Sequence, residues 1–447
     1  MVAAPFDWWA QNVSRRRRLH DILVIYRMRG LFLFFLGAAA LLGGDAGVKR
    51  HQDYRAQAAS AYAKKNYPAA KEATLAALRL RPDSPSYLHN LAALCALMED
   101  TSGAFAALRQ IAALGLAVPI ERDPDFARLQ GTPEFSRVLR SFASNREPIG
   151  TADIIAELPG RTGVLHGIAY RQRTGDLFLS DVHHRCIWRR DRSGQITRFT
   201  AEDEDLLGLF GIAIDEARNA LWAAMRALPE MAGFTSELKG RTGLAEFNLA
   251  TGELRRIVDI PDDEREHAIT DLVVAADGTI YATDTKAPII WQLTPGAEDF
   301  QKTIDSPIFA SLQGLVIAEN RLIVADYEEG LFAVEVPSGK VTALPAPPNT
   351  ALLGLNGLLA LPGRIIASQI GVNPPRALQV VLNANFDAIT AVTVLAAGLP
   401  EFTDLALIAT MNGLPTIIAQ SGWDRFDPSK MKQPPAHNVK LFQIVLP

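Results

Sequence analysis

Between residues 166 and 407 one short phrase recurs six times: a variable residue, then Gly or Asp, then alternating apolar positions. The copies are His166-Gly167-Ile168-Ala169-Tyr170, Phe210-Gly211-Ile212, Thr270-Asp271-Leu272-Val273-Val274, Gln313-Gly314-Leu315-Val316-Ile317, Asn356-Gly357-Leu358-Leu359 and Thr403-Asp404-Leu405-Ala406-Leu407. They are spaced 44, 60, 43, 43 and 47 residues apart. A repeat of roughly 40–50 residues with a side-chain period of two is the length of one four-stranded antiparallel sheet. Six such sheets close around an axis as a β-propeller, with each phrase as an innermost strand.

Further apolar runs complete each sheet. Second strands are expected at 177–181, 221–225, 280–284, 322–326, 365–369 and 417–421, after turn residues such as Thr174-Gly175-Asp176, Asp277-Gly278 and Pro362-Gly363. Third strands fall at 186–190, 244–249, 289–293, 331–336, 377–382 and 440–445, and outer strands at, for example, 196–199 and 341–344. The sixth outer strand is missing, because the sequence stops at Pro447. A surplus strand at 152–158 precedes the first sheet and is expected to supply it by pairing with 440–445, which removes the open edges of the ring. The propeller is thus expected over 151–447.

In an antiparallel hairpin the start of the first strand and the end of the second lie on one side. Two positions per blade therefore converge on one mouth: His166 and Asp181, Phe210 and Met225, Thr270/Asp271 and Asp284, Gln313 and Asp326, Asn356 and Gln369, Thr403/Asp404 and Ser421. An Asp at a strand end also caps a turn by accepting backbone N–H groups, so either role fits each Asp taken alone. Their gathering on one face points to a ligand site there. The candidate ligand-binding residues are His166, Asp181, Asp271, Asp284, Gln313, Asp326, Asn356, Gln369, Asp404 and Trp423. Ser421-Gly422-Trp423-Asp424 opens a Pro- and Lys-rich loop to about His437, which is either a long surface insertion or a lid over the mouth whose Trp423 ring would stack on a flat or sugar-like ligand. His183, His184 and Cys186 beside Asp181 are of the types zinc uses, but their spacing matches no closed tetrahedral pattern. There is no nucleophile elbow, P-loop or dinucleotide fingerprint.

Residues 51–143 have a different period. Tyr54, Ala58, Tyr62, Tyr67, Ala70, Ala77, Leu78, Leu80 and Pro82 are followed 34 residues later by Leu88, Ala92, Ala96, Thr101, Ala104, Ile111, Ala112, Leu114 and Leu116. The small residues keep phase where two antiparallel helices would touch, and Pro82 ends a helix because it cannot continue the hydrogen-bond ladder. Over about 70 residues this resembles the tetratricopeptide-repeat family. The resemblance implies a groove for a protein partner; simple packing against the rest of the chain is the alternative.

Composition narrows the setting. A net charge of −4 with 21% charged residues offers no electrostatic basis for binding nucleic acid. Only two cysteines, Cys95 and Cys186, fall in different expected domains, so no disulfide framework is expected. Residues 1–46 read as a leader: a basic run at 15–18, an apolar stretch at 31–44, and small residues at Gly44-Asp45-Ala46. Met28 offers a second start for it. The expectation is export to the periplasm or outside, with an uncleaved N-terminal anchor as the alternative and the only membrane contact.

The phrases Leu165-His166-Gly167-Ile168-Ala169, Ala276-Asp277-Gly278-Thr279-Ile280-Tyr281-Ala282-Thr283-Asp284 and Leu322-Ile323-Val324-Ala325-Asp326-Tyr327 resemble the gluconolactonase/regucalcin-like group of six-bladed propellers, over residues 152–447. That resemblance implies a divalent cation, often calcium, at the channel mouth and hydrolysis of sugar lactones. The family's ligands, a Glu, Asn residues and an Asp, fall by position on His166, Thr270, Gln313 and Asn356. Both carboxylates are replaced here, and a hard cation is held weakly by neutral oxygens and an imidazole. Asp181, Asp271 or Asp404 are the available substitutes. Two functions follow. One is an exported binding or scaffold protein, with a protein partner on the helical repeats and a small molecule at the propeller mouth. The other is a metal-dependent lactonase-type hydrolase with a rebuilt ligand set. The first is preferred, because the expected carboxylates are missing.

Overall fold

The computed structural model describes residues 50–158, 163–431 and 433–446; the expected leader at 1–46 lies outside them. The chain divides into two compact units. One comprises the residues up to Glu147 with the short segments Pro348–Ala351 and Val372–Pro374, and the other comprises the remainder.

The first unit holds five α-helices, His51–Ala63, Tyr67–Leu80, Pro85–Leu97, Thr101–Ala113 and Pro133–Asn145. Four begin at side chains that accept the N–H three residues on: Asn66 from Ala69, Ser84 from Tyr87, Asp100 from Gly103 and Thr132 from Phe135. Each cap satisfies a donor that the first helical turn leaves unpaired. Ala58, Ala70, Ala92 and Ala104 are buried among Leu94, Leu108, Ile111, Phe126 and Phe142. Only a methyl group fits where the helices approach so closely. Among the described residues no helix is long and apolar enough to cross a membrane.

The second unit is a six-bladed β-propeller of six four-stranded antiparallel sheets. The innermost strands of blades 1 to 6 are Leu165–Arg171, Gly208–Asp215, Ile269–Val274, Leu312–Ala318, Leu355–Leu361 and Ile408–Met411. Their alternating apolar residues are buried against neighbouring blades, which is why the strands read as period-two runs. Blade 6 is assembled from both ends of the unit. Ala152–Leu158 is its outer strand, antiparallel to Val439–Ile444, with Ala152 opposite Ile444, Leu158 opposite Val439, and a bulge between Ile154 and Ala156.

The glycine of the repeated phrase sits where blades touch. A Cβ at Gly167 would lie 2.3 Å from the Phe210 carbonyl oxygen of blade 2, and one at Gly314 would lie 2.5 Å from the Asn356 carbonyl oxygen of blade 5. At these two positions any side chain would collide with the backbone of the next blade.

Blade 6 departs from the expected pattern. Its innermost strand begins at Ile408, not at the phrase 403–407. Asp404 is held instead in a single parallel bridge to Gln420. Its carboxylate is drawn into the turn that follows, and the Leu407 N–H bonds the His166 carbonyl of blade 1 at 3.2 Å.

Candidate functional site: the channel mouth

The first residues of the innermost strands form a continuous circle. The Ser180 hydroxyl of blade 1 donates to the Phe210 carbonyl of blade 2. Gly211 lies against Thr270 and Asp271 of blade 3, and the Thr283 hydroxyl donates to the Gln313 carbonyl of blade 4. Gly314 meets Asn356 of blade 5, Gly357 meets Leu407 of blade 6, and Leu407 returns to His166. The strand starts at His166, Phe210, Thr270, Gln313 and Asn356 therefore surround one opening.

The second-strand ends have a different part. Asp181 is fully buried and accepts the N–H groups of Gly163 (3.1 Å), Val164 (3.3 Å) and His184 (3.0 Å), His184 Nδ1–H (2.7 Å) and Trp188 Nε1–H (3.1 Å). Asp284 repeats the arrangement with Ala268, Lys286 and Ala287 N–H, His267 Nδ1–H (2.6 Å) and Trp291 Nε1–H (3.2 Å). Asp326 accepts four backbone N–H groups, from Ala310, Ser311, Glu328 and Glu329. Gln369 donates to the Leu353 carbonyl and accepts from Arg376 Nε at 2.6 Å. These four side chains hold the loops that shape the mouth, and none is exposed to a ligand. Their burial is balanced by nearly complete hydrogen bonding, the condition for a polar group in a protein interior.

Burial raises Asp181, but the His184 hydrogen bond and charge outweigh it and hold the carboxyl below its usual range, while His184 is raised by the same bond. His267 follows suit. Burial lowers it, yet bonds to Asp284 on Nδ1 and to Asp263 on Nε2 (2.7 Å) hold it above the ordinary histidine value. An imidazole with a carboxylate on each nitrogen is an imidazolium.

What remains turned to the channel is mostly neutral. His166 is pushed down to about 3 by burial and by the neighbouring Arg226 charge, so it is uncharged at neutral pH. Trp423 Nε1–H points at His166 Nδ1 (3.4 Å), which leaves the imidazole proton on Nε2, with no partner among the described residues. The rings of His166 and Phe210 meet edge-on at 4.9 Å, Phe210 and Trp423 lie 6.0 Å apart, and Arg226 stands 4.8 Å over Phe210. Among the described residues the buried Thr270 hydroxyl has no hydrogen bond, and the Asn356 side chain, on a residue 5% exposed, has no hydrogen-bond partner. Gln313 Nε2 reaches Ser311 Oγ at 3.2 Å. Asp271 accepts the N–H groups of Leu272 and Leu315, and burial raises it to about 7. Asp404 accepts from Ser421 Oγ (2.5 Å), Gly422 N (2.9 Å) and Asp424 N (3.3 Å).

Of the ten sequence candidates, His166, Asp271, Gln313, Asn356, Asp404 and Trp423 line or border the mouth, whereas Asp181, Asp284, Asp326 and Gln369 lie beneath it. Arg226 and Asp424 were not foreseen. Each directly follows a foreseen residue, Met225 and Trp423, and that adjacency was the available signal. Nothing in the sequence marks His267 or His437.

The donor set does not fit a hard cation. Among the described residues no group of three His, Cys, Asp or Glu side chains converges as metal ligands. Asp181 and Asp404 are engaged by N–H and O–H donors, and Asp271 by two N–H groups, so the proposed substitutes do not gather at His166, Thr270, Gln313 and Asn356. Beside Asp181, His183 Nδ1 is bonded to the Glu230 carbonyl (2.7 Å), His184 to Asp181, and burial raises the Cys186 thiol. This is a hydrogen-bonded cluster rather than a zinc cage.

No family model matches the chain, and no curated protein matches it in sequence. Among solved structures it is similar to a putative oxidoreductase (glucose dehydrogenase) from Thermus thermophilus: 14% identity, 66% of this chain, 100% of the other, TM-score 0.46. It is also similar to a gluconolactonase from Xanthomonas campestris: 14% identity, 68% and 93% coverage, TM-score 0.45. A third is virginiamycin B lyase from Staphylococcus aureus: 11% identity, 66% and 100% coverage, TM-score 0.43. The likeness is one of fold.

Proposed function

We propose that this chain is an exported binding or scaffold protein whose propeller mouth takes a small uncharged ligand without a metal ion. The observation that carries this reading is the division of labour at the mouth. The strand-end carboxylates Asp181, Asp284 and Asp326 are consumed as loop caps, while the groups left with unused hydrogen-bonding capacity are the neutral His166 Nε2–H, Thr270 Oγ and Asn356 amide. Neutral donors and acceptors beside the Trp423 and Phe210 rings suit a molecule with an apolar face and hydroxyl or carbonyl groups. Hydrolysis of a lactone would need a Lewis acid or a poised base. The His166 imidazole, at the start of an innermost strand, is poorly basic.

The helical unit is proposed to bind a protein partner as a tetratricopeptide-type array. Its helices start at residues 51, 67, 85 and 101, so the second pair repeats the first after 34 residues, and the small residues Ala58/Ala92 and Ala70/Ala104 are buried in phase.

The test is metal analysis of the purified protein, calorimetric titration with calcium, zinc and manganese, and assay of sugar-lactone turnover. The expected outcome is no stoichiometric metal and no turnover, with thermal-shift ligands that lose about tenfold or more in affinity in Trp423→Ala and Asn356→Ala. Tight stoichiometric metal that is lost in Asn356→Ala would replace this reading with the lactonase-type hydrolase.

A further inference from the structure

We propose that the loop 261–268 is a pH-released flap on the rim of the mouth: the charged His267 imidazole, bonded to Asp263 on one nitrogen and to Asp284 on the other, holds it down, and loss of the imidazole proton frees its outer part. This regulation acts on the ligand site proposed above and rests on that reading for its consequence, but the flap itself operates without a ligand.

The loop joins the outer strand of blade 2, Leu254–Asp259, to the innermost strand of blade 3, Ile269–Val274. In a four-stranded antiparallel blade the fourth strand ends on the side where the first begins, so the loop crosses the mouth face and leads to Thr270. Both of its ends are pinned at Thr242, whose carbonyl accepts the Ile260 N–H at 3.0 Å and whose hydroxyl oxygen accepts the Ile269 N–H at 2.9 Å. Ala268 is fixed too, through its N–H to Asp284 and through its carbonyl to the Thr285 N–H. Between these anchors, residues 261–267 make no backbone–backbone hydrogen bond among the described residues. Side chains hold the loop.

His267 is the most buried of them, with its side chain only 6% exposed. Its Nδ1–H reaches Asp284 Oδ2 at 2.6 Å and its Nε2–H reaches Asp263 Oδ1 at 2.7 Å. Both partners act as acceptors. Asp284 also receives the N–H groups of Ala268, Lys286 and Ala287 and Trp291 Nε1–H. Asp263 also receives Arg265 and Lys302, and the Arg265 bond above all holds its carboxyl well below the usual range. A neutral imidazole has a single N–H, so it serves one carboxylate and turns a bare lone pair towards the other. Asp284 is fixed by its remaining donors. Asp263 rides on the loop and is the one that moves.

The charges around His267 come from three places. The loop brings Asp263, Arg265 and Glu266, blade 3 brings Asp284, Lys286, Lys302 and Asp305, and blade 2 brings Lys239. Arg265 meets Asp305 at 3.0 Å and Lys302 meets Asp263 at 2.6 Å, while Glu266 stands 4.0 Å from Lys239 and from Lys286. These outer pairs are partly solvated, are screened by salt and hold little by themselves. Burial lowers His267, yet the two carboxylates outweigh it, so the proton leaves above the ordinary histidine value of about 6.5. The flap is therefore clamped near pH 6 and released as pH rises through the folded value.

Two readouts on the full-length protein test this from about pH 6 to about pH 9.5, in about 0.3 M salt to screen the outer pairs. Magnetic resonance of the histidine rings follows His267, one of eight histidines, identified by its absence in His267→Gln and by its displacement in Asp263→Asn. Anisotropy of a pH-insensitive maleimide dye on Glu264→Cys, at the exposed tip, follows the loop, since Cys95 and Cys186 are both buried. The expected result is a fall in dye anisotropy with the same midpoint as the His267 ring. That ring midpoint is expected to drop by about one pH unit or more in Asp263→Asn, and the dye to be mobile at every pH in His267→Gln. A dye signal that stays constant while the ring titrates, or that changes with an unaltered midpoint in His267→Gln, overturns the flap. So does a ring that does not titrate across the range. Asp263→Asn identifies the ring even if His267→Gln fails to fold, and the two wild-type midpoints then decide. No ligand is present, so failure of the flap leaves the binding proposal standing, and failure to find a ligand leaves the flap standing.

Discussion

Asp181 and Asp284 answer the same local need: a loop at the propeller mouth exposes backbone N–H groups that only a buried acceptor can satisfy. Each is flanked by an imidazole and by a tryptophan seven residues on, Trp188 and Trp291, so the solution recurs in blades 1 and 3. Blade 3 extends it outward through His267 to Asp263, which also accepts Arg265 and, at 2.6 Å, Lys302. The pH dependence has a definite sign. His267 is raised in the folded state, so its contribution is complete below the unfolded histidine value of about 6.5 and fades as pH rises through the folded value. Asp263 is depressed, above all by the Arg265 bond, so its contribution is complete above the ordinary Asp range and is lost in acid. His267→Gln is expected to cost about 2 kcal/mol near pH 6 and clearly less near pH 9. Denaturant unfolding at the two pH values reads this; an equal cost at both would mean that the imidazole is not charged in the native state.

At the scale of the element, the innermost strand is the most legible part of the chain and also the least tolerant. Its alternating apolar residues and its glycine report two separate constraints, a period of two and a near-contact between blades. Gly167 is flanked by the Phe210 carbonyl and by Ser180 Oγ, which accepts the Gly167 N–H at 2.8 Å. Ser368 does the same for Gly357 in blade 5. Gly167→Ala is expected to destabilise by about 1–3 kcal/mol, because the new methyl group meets backbone rather than a movable side chain. A shift in thermal midpoint would show it, and an unchanged midpoint would mean that the blades can separate at little cost. Blade 6 carries the phrase but not the strand. Thr403 to Leu407 satisfy the period, yet Asp404 is worth more as the fastening of the following turn than as a ladder residue.

The whole propeller depends on one pairing between its two ends. Ala152–Leu158 and Val439–Ile444 lie almost three hundred residues apart in sequence and form adjacent strands of one sheet. Without the first, blade 6 loses its outer strand and the ring an apolar cluster that joins Ala156 and Leu158 to Leu177, Leu179 and Leu441. A shortened chain beginning at Gly163 is expected to lose its cooperative melting transition. Retention of the full-length thermal midpoint would show that closure contributes nothing. Such long-range pairing is also slow to find during folding, since the loop entropy is lost before the contacts form.

The sequence by itself determined the repeating sheets, their order, the glycines between blades and the residues at the strand starts of blades 1 to 5, because each follows from spacing and side-chain type along the chain. It also placed Asp181, Asp284 and Asp326 at the ends of second strands. It did not separate the capping role of Asp181, Asp284 and Asp326 from a ligand-binding one, because both roles require the same residue at the same place. Only the tertiary structure decided that, by bringing N–H donors from the preceding and following loops onto each carboxylate. The same holds for His267, Arg226, Asp424 and His437, whose surroundings come from segments distant in sequence or from a bend at Gly422. Periodicity is a local property and is written in the chain; the charge and hydrogen-bonding state of a side chain belongs to its neighbours in space.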